Sequence, residues 1–328
     1  MTYSEAKEAF EQLFAHELDD AQMCDFLVRM KLDDSTSVEE IAAAASVMRS
    51  HAIPLNVAKE LQSRLLDVVG TGGDKIGSFN ISSTVAILCA SAGAYVAKHG
   101  SRSVTSKSGS ADMFEKLGVR LDLGIEQSAK LLEETGFTFM FAQNHHPAMK
   151  FIMPVRKSIS DKTVFNVLGP LTNPAGVQKT MLGVFDKSFV PKIAQALKLN
   201  GSRSALVVSS REHMDEISIS DITYAARLDE KGIVEFEIDP LNYSIKRAPL
   251  AAIVGGDAEA NAKILHNIFN SCAQEAQRDI VLINAAAALT VEGMARDIQE
   301  GLEISREMIE SKKAKNKLEE IIRVSAKL

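Results

Sequence analysis

The beginning of the chain carries hydrophobic side chains at helical intervals. Phe10, Leu13 and Phe14 lie three and four positions apart, the spacing of one face of a helix, and a similar run follows. Two Ser/Thr-to-Glu pairs have the three-residue spacing of capping boxes at helix starts. Pro54 is expected to end a third helix, and NVAKELQSRL predicts a fourth. Residues 2–65 are therefore predicted to be wholly helical.

From residue 67 the pattern changes to short apolar runs that alternate with helical segments. ISSTVAILCASAG predicts a buried helix closed by Gly93, between the strand-like runs DVV and YVAKHG. TFMFA, TMLGVF and SALVVS are further strands, VEFEI is an edge strand, and IEQSAKLLEET and FVPKIAQALKL are helices. This alternation is typical of an α/β domain with a central sheet flanked by helices. The segment from Gly256 onward is predicted to be mostly helical.

The composition is that of a folded globular chain. Of its 328 residues 46% are hydrophobic, and its net charge of −6 provides no positive field that would draw it to nucleic acid or an anionic membrane. The three cysteines lack metal-ligand spacing, which favours a reduced, cytoplasmic setting over a disulfide framework or a zinc site. The acidic start and the absence of a long apolar run predict no signal peptide and no membrane-spanning helix.

Two glycine- and serine-rich stretches follow the first two predicted strands. GTGGD, residues 70–74, can turn with positive dihedrals and present N–H groups to an anion beside the helix that opens near Ser82. The alternative is a tight strand-to-helix turn, and the spacing is neither that of a Walker loop nor that of a dinucleotide loop. The second stretch, KHGSRSVTSKSGSADMFEKLG, has the composition of an anion cradle or of a loose loop.

Charged residues of the second stretch have more than one possible role. Lys98 and Lys107 can serve phosphates as point charges, whereas Arg102 can form a planar fork on an anion or a structural ion pair. Ser110 is expected to cap the helix ADMFEKL, which Gly118 would end.

Two later stretches carry further candidate chemistry. His145 and His146 are adjacent and therefore poorly placed to chelate a metal together, while Arg156 could hold a carboxylate or a structural ion pair. Asp215 and Glu216 follow a predicted strand and suit Mg²⁺, which prefers oxygen ligands, although a solvated acidic helix start is the alternative.

The ordered set of motifs resembles the anthranilate phosphoribosyltransferase family. The motifs are GTGGD, NIS, KHG-x-RS-x-x-SKSGSAD, HHPAM-x(6)-VRK, FN-x-LGPLTNP, DEIS, GGDAEANA and INAAAALTVEGMARDIQEG, which together cover essentially the whole chain. The resemblance implies a homodimer with the fold of pyrimidine nucleoside phosphorylases and the substrates anthranilate and 5-phosphoribosyl 1-pyrophosphate (PRPP). It also implies Mg²⁺, two ions per monomer, and transfer of the phosphoribosyl group to the anthranilate amine in L-tryptophan biosynthesis.

The same resemblance implies the domain organisation. A helical domain of residues 1–65, joined by mid-chain helices around 150–185, accompanies an α/β phosphoribosyl-transfer domain of residues 66–328. The fold class expected is thus a small all-helical domain plus a larger α/β domain with a central sheet.

Site residues are implied by the resemblance at matching positions of this sequence. Those expected to bind PRPP are Gly70, Thr71, Gly72, Gly73, Asp74, Ser78, Asn80, Ile81, Ser82, Ser83, Lys98, His99, Gly100, Ser101, Arg102, Ser103, Val104, Thr105, Ser106 and Ser110. Those expected to bind anthranilate are Gly70, His99, Ser101, His146, Arg156, Gly169 and Pro170. Metal ligands are expected at Ser82, Asp215 and Glu216. No acid–base residue is assigned, because an aromatic amine is already a neutral nucleophile and needs mainly positioning.

The chain departs from the family pattern at three places. Ser101 stands where the family usually has Asn, Ser83 where Thr is usual, and His213-Met214 where Gly-Leu is usual. Two alternatives remain: a nucleoside-phosphorylase-like enzyme, which would need a different glycine loop, and a non-catalytic paralogue that binds nucleic acid, which would need a basic face. Nothing in the sequence indicates whether an amidotransferase subunit associates with the chain.

Overall fold

The computed structural model describes residues 1–103 and 107–328. The predicted PRPP contacts Val104, Thr105 and Ser106 lie outside the described residues. The α-helices are α1 Tyr3–Phe14, α2 Asp20–Arg29, α3 Val38–Ser50, α4 Lys59–Gln62, α5 Ile81–Ala92, α6 Ser110–Lys116, α7 Ile125–Thr135, α8 Ala142–His145, α9 Met149–Ser158, α10 Phe165–Leu168, α11 Phe189–Leu199, α12 Ala258–Phe269, α13 Glu275–Glu292, α14 Ile298–Glu310 and α15 Lys313–Ser325. Short 3₁₀ helices occupy Gly169–Leu171, Pro240–Tyr243 and Leu250–Ile253.

The prediction that residues 2–65 are wholly helical is wrong in its last third. Helix α3 ends at Ser50, before Pro54, and only one turn, α4, forms within NVAKELQSRL. The backbone N–H of Ile53 instead donates to His145 O at 2.8 Å, and that of Leu55 donates to Pro174 O at 3.1 Å. Tertiary hydrogen bonds to the middle of the chain therefore replace helical ones here.

Seven strands form one mixed sheet. They are β1 Leu65–Gly70, β2 Tyr95–Gly100, β3 Phe137–Phe141, β4 Lys179–Gly183, β5 Ser204–Ser210, β6 Thr223–Asp229 and β7 Gly232–Ile238. The order is β3-β2-β1-β4-β5-β6-β7, in which the first five strands are parallel and the last two are antiparallel. The predicted edge strand is β7, whereas β6 was absent from the prediction.

Helices cover both faces of the sheet. Helix α5, which ends at Gly93 as predicted with φ 107°, packs with α13 on one face, and α11 packs with α3 on the other. Helix α9 contacts α1 and α2. A single hydrophobic cluster joins Phe10 and Ile41 of the N-terminal helices to Leu182, Val207 and Ala226 of β4, β5 and β6. The helical part and the sheet therefore share one core.

The carboxyl ends of the parallel strands position the candidate loops. Gly70 ends β1, Gly100 ends β2 and Ser210 ends β5, so the three loops that follow leave the sheet at the same edge. In open α/β sheets this edge is where ligands bind. None of the described helices is long and apolar enough to cross a membrane.

Candidate active site

The glycine loop after β1 closes around the loop that carries Asp215. Gly72 and Gly73 have φ of 68° and 78°, the positive dihedrals expected from their sequence. The backbone N–H of Gly72 donates to Asp215 Oδ2 at 2.6 Å. A β-carbon at Gly183 would collide with the backbone of Asp215, so glycine is required there for the loops to meet. Residues predicted separately at two strand ends thus form one site.

The acidic pair is embedded rather than solvated. Glu216 is only 8% exposed, and its Oε1 accepts the backbone N–H of Ser82 at 3.1 Å. Burial, followed by the negative charge of Asp215, raises the pKa of Glu216 well above its usual range. Burial and the neighbouring Asp74 raise the pKa of Asp215 to about 7. Two carboxylates held this close without enough positive charge attract a cation.

The donor set fits Mg²⁺. The carboxylates of Asp215 and Glu216 and the hydroxyl of Ser82 are hard oxygen donors, which Mg²⁺ prefers. Within residues 1–103 and 107–328, no group of three or more His, Cys, Asp or Glu side chains is arranged to hold a metal. An ion at the acidic pair would therefore need further oxygen ligands, which water and a substrate diphosphate can supply.

Lys98 places a buried positive charge beside this pair. The residue is 2% exposed, and its Nζ donates to Val68 O at 2.6 Å and to Ser82 Oγ at 3.2 Å. Burial lowers the pKa of Lys98, while the charges of Asp67 and Glu216 oppose that shift. The Lys98 ammonium is thus held at the start of α5, where the charges of Asp67 and of the pair Asp215–Glu216 act on it.

Asp67 and Asn173 are site-supporting residues that the sequence analysis missed. Asp67 is completely buried in β1, and burial raises its pKa to about 6 despite the nearby charge of Lys98. Asn173 lies in the motif FN-x-LGPLTNP, for which the sequence predicted no supporting contact to the donor site. The signal that could have found Asp67 was an acidic residue inside an otherwise apolar strand, which needs a partner.

The loop after β2 is organised by Asp112. Its Oδ2 accepts the backbone N–H groups of Ser103 and Gly109, at 3.1 and 2.9 Å, and its Oδ1 accepts from Arg102 at 2.9 Å. Arg102 also forms a two-pronged pair with Glu115, at 2.9 and 3.0 Å. Of the two roles predicted for Arg102, the structure shows the ion pair.

The predicted capping role of Ser110 is wrong. Gly109 is the N-cap of α6 and Ser110 is its first helical residue, because the carboxylate of Asp112 already satisfies the backbone N–H of Gly109. The hydroxyl of Ser110 instead donates to Ser101 O at 3.4 Å. Ser101 is exposed, and its own hydroxyl donates to Arg102 O at 3.1 Å.

Two neutral imidazoles face each other beside the turn at residues 169–171. The rings of His99 and His146 lie 5.0 Å apart between centroids, and His99 Nδ1 lies 3.3 Å from Gly169 O. Because a carbonyl only accepts, this Nδ1 carries the proton and His99 Nε2 keeps a lone pair. Burial lowers the pKa of His99 to about 3 and that of His146 to about 4. Neither Nε2 has a hydrogen-bond partner among the described residues.

Arg156 is partly buried and without a carboxylate in the described part of the chain. Its guanidinium lies 5.9 Å from the ring centroid of Phe165 and 3.8 Å from Met153 Sδ, and no described acidic residue pairs with it. Burial lowers the pKa of Arg156. Of the two predicted roles, a structural ion pair is not formed, which leaves the guanidinium available for an external anion.

The remaining residues predicted to contact a ligand differ in burial and in their hydrogen bonds. Ile81 packs in the large hydrophobic cluster of α5 and the sheet, whereas the buried Ser83 hydroxyl has no hydrogen-bond partner among the described residues. Ser78 forms a bridge with Val254, and Pro170 is buried in its 3₁₀ helix. Thr71 lies in the glycine loop, with its backbone N–H donating to Gly183 O at 3.0 Å.

Comparisons with known proteins show the family to which the chain belongs. The Glycosyl transferase family a/b domain matches residues 62–315, and the helical bundle domain of the same family matches residues 1–52. A protein of Xanthobacter autotrophicus named anthranilate phosphoribosyltransferase is 44% identical over 328 residues, which are 100% of this chain and 94% of that protein. The chain belongs to the anthranilate phosphoribosyltransferase family. The prediction made from the order of the motifs is thus confirmed.

Solved members of the anthranilate phosphoribosyltransferase family share the fold. The crystal structure of the Thermus thermophilus enzyme matches with a TM-score of 0.92 and 36% identity, covering 99% of this chain and 96% of that one. The Saccharomyces cerevisiae enzyme in complex with PRPP and Mg matches with a TM-score of 0.90 and 26% identity, covering 100% and 94%. The predicted fold class, a small helical domain with a larger α/β domain, is confirmed.

Proposed function

We propose that the chain is a Mg²⁺-dependent glycosyltransferase that moves the phosphoribosyl group of PRPP to the amine of anthranilate. In this reaction the bond between the ribose anomeric carbon and the pyrophosphate oxygen breaks, a carbon–nitrogen bond forms, and the amine loses one proton. The products are N-(5-phosphoribosyl)anthranilate and pyrophosphate, a step of L-tryptophan biosynthesis. The observation that carries the proposal is the convergence of the glycine loop, Lys98, the half-buried Asp215 and the buried Glu216 at one edge of the sheet.

The donor half of the site is built to stabilise a leaving diphosphate. The glycine loop beyond Gly72 and the N-terminal end of α5 would supply hydrogen-bond donors and a positive dipole, whereas the N–H groups of Thr71, Gly72 and Ser82 already donate to protein oxygens. Lys98, already fixed at that helix start, adds a full charge. When bound at Asp215, Glu216 and Ser82, Mg²⁺ would neutralise charge that develops on the departing group. We propose the two-ion stoichiometry of the family for this chain as well.

The acceptor half is built to recognise an aromatic acid with a neutral amine. Arg156 would hold the carboxylate, because its guanidinium is desolvated and has no described acidic partner. His99 and His146 offer neutral ring faces and Nε2 lone pairs, which can accept hydrogen bonds from an amine without charging it. Ser101, which is exposed and two residues after His99, would influence the affinity for the acceptor.

The wider organisation follows from the same proposal. The chain would act in the cytoplasm as a homodimer, with residues 1–65 and helices around 150–185 forming one domain and residues 66–328 the other. Its partners would be the two small substrates, and neither nucleic acid nor a membrane is needed for the reaction.

The proposal is tested by following the loss of anthranilate fluorescence with PRPP, with and without Mg²⁺. Consumption that requires both PRPP and the ion is expected, and EDTA should abolish it. The same assay on Ser101→Asn measures how far that position sets the affinity for anthranilate. Absence of consumption in both proteins, together with phosphorolysis of a pyrimidine nucleoside by inorganic phosphate, would support the phosphorylase alternative instead.

A further inference from the structure

Asn261 is far in sequence from the predicted site residues but lies directly behind the donor loop, residues 71–80 between β1 and α5. It belongs to the segment GGDAEANA and is 2% exposed on α12. Its Oδ1 accepts the backbone N–H of Gly256 at 2.8 Å, and its Nδ2 donates to Asn80 Oδ1 at 2.8 Å. Asn80 is the residue before α5 and one of the predicted PRPP contacts. The amide of Asn261 thus bridges the C-terminal segment and the donor loop.

The N–H of Gly256 fixes the orientation of the Asn261 amide, which in turn supports that of the Asn80 amide. A backbone N–H can only donate, so the atom of Asn261 that faces Gly256 must be the carbonyl oxygen. The other end of that amide is then the NH₂ group, which forces Asn80 to present its oxygen to Asn261. Asn80 Nδ2 faces away from Asn261, toward Ser108 O at 3.4 Å. The hydroxyl of Ser108 donates to Asn80 Oδ1 at 3.3 Å, so Asn261 and Ser108 hold the Asn80 amide in the same orientation.

The backbone around this bridge is held equally closely. The N–H of Gly255 donates to Gly77 O at 2.8 Å, and that of Phe79 donates to Ile253 O at 3.1 Å. A β-carbon at Gly255 would lie 2.6 Å from both Asn261 Oδ1 and the Cα atom of Phe79, so only glycine allows this approach. Residues 253–261 therefore form a support for the loop that ends in Asn80.

We propose that Asn261 is a positioning residue for the phosphoribosyl donor, acting through the side chain of Asn80. The proposal rests on the proposed function in that PRPP is taken to bind at this loop. Asn80 Nδ2 has two N–H groups, of which the described residues accept one. The second is available to a phosphate oxygen. If the Asn80 amide were reversed, its carbonyl would face the phosphate and repel it.

The direct test is Asn261→Asp, which keeps the shape and the acceptor for Gly256 but removes the donor to Asn80. The new carboxylate at position 261 should draw Asn80 Nδ2 toward itself. The Asn80 carbonyl oxygen would then face the bound PRPP. Calorimetry with PRPP and Mg²⁺ is expected to show a dissociation constant raised about tenfold or more, since one charge-assisted hydrogen bond is lost. The KM for anthranilate should remain close to that of the unsubstituted chain. Glu259→Gln, an exposed change on the same helix, is the matched control.

A double-mutant cycle separates positioning from general damage. In the background Asn80→Ala, the substitution Asn261→Asp should have no further effect on the affinity for PRPP, because the side chain it acts through is gone. Additive losses, or equal losses for PRPP and anthranilate, would overturn the proposal. Should Asn261→Asp not fold, Asn80→Asp keeps the acceptor for Asn261 and replaces the donor group with a negatively charged oxygen, and unchanged affinity for PRPP would then contradict the role. An unsubstituted chain that does not bind PRPP would instead count against the proposed function itself.

Discussion

Asn173 Nδ2 lies 2.7 Å from Asp67 Oδ2, in the interior beneath the donor site. The same NH₂ group donates to Ala97 O at 2.8 Å, and Asn173 Oδ1 accepts from the backbone N–H of Ala175 at 2.9 Å. The LTNP turn is thereby attached to β1 and β2. Before any ligand is bound, Asp67 is the acidic residue whose negative charge contributes most to keeping the buried Lys98 protonated.

Asp67→Asn is predicted to destabilise the chain and weaken the donor site. The charge of Asp67 favours the ammonium form of the buried Lys98, so its loss is expected to cost about 1 to 3 kcal/mol in free energy of unfolding. Because burial raises the pKa of Asp67 in the folded chain, this cost should be larger at pH 5 than at pH 8. Urea denaturation measures this loss, and steady-state kinetics should show a larger rise in KM for PRPP than for anthranilate. Asp122→Asn, which changes an exposed carboxylate, is the control. Equal stability of the two variants would show that Asp67 does not compensate Lys98.

The double variant Asp215→Asn, Glu216→Gln is predicted to lose Mg²⁺-dependent turnover while gaining stability in metal-free buffer. The pKa values of both carboxyl groups are raised in the folded chain, so the folded state holds more protons than the unfolded state and its stability falls as pH rises through about 7. Without these carboxylates, the stability of the double variant should not decrease as pH rises through this range. Thermal unfolding in EDTA at pH 6 and pH 8 measures the difference.

Glu230→Gln, an exposed change in the turn between β6 and β7, serves as the control for the acidic pair. Normal turnover by the double variant would remove the metal site from Asp215 and Glu216.

Arg156→Leu is predicted to weaken the binding of anthranilate without lowering the stability of the fold. Because the guanidinium is desolvated and has no described carboxylate partner, its removal should leave the free energy of unfolding unchanged or higher. The KM for anthranilate should rise about tenfold or more, as expected for the loss of a charge-assisted hydrogen bond, whereas the KM for PRPP stays constant. Arg156→Lys, which keeps the charge without the fork, should lie between the two. Lys157→Leu at the exposed neighbour is the control, and parallel effects on both substrates would exclude the assigned role.

His146→Gln is predicted to make the chain less sensitive to acid. The pKa of His146 is about 4 in the folded chain, below that of an unfolded histidine, so only the unfolded state takes up a proton between pH 6.5 and pH 4. The stability associated with neutral His146 is therefore present above pH 6.5 and is lost as pH falls. Between pH 7.5 and pH 5 the variant should lose about 2 kcal/mol less than the unsubstituted chain. Urea denaturation across this range tests it, with the exposed His266→Gln as control, and identical slopes would contradict the burial of a neutral imidazole.

Local sequence was sufficient for those parts of the molecule that local physics determines. Glycines with positive φ, the buried helix closed by Gly93 and strands ending in polar loops all have signals within a few residues. The predictions failed where groups far apart in the sequence form hydrogen bonds that replace the local ones. Ile53 and Leu55 use their backbone N–H groups in hydrogen bonds to the middle of the chain, and Gly109 rather than Ser110 is the N-cap of α6, with its N–H bonded to the carboxylate of Asp112. The pairs Asp67–Asn173 and Asn80–Asn261 join positions 106 and 181 apart, which no local pattern encodes.

The bridge from α12 to the donor loop also bears on how the site comes into being. During synthesis, the glycine loop and Asn80 leave the ribosome long before residue 261 exists. Until then Ser108 can contact the Asn80 amide, but the hydrogen bonds from Asn261 and from Ile253 and Gly255 to this loop cannot yet form. Closure of a loop this long is slow compared with local folding. The ability to bind the donor would therefore be one of the last properties that a newly made chain acquires, and it would signal that the C-terminal helices are in place.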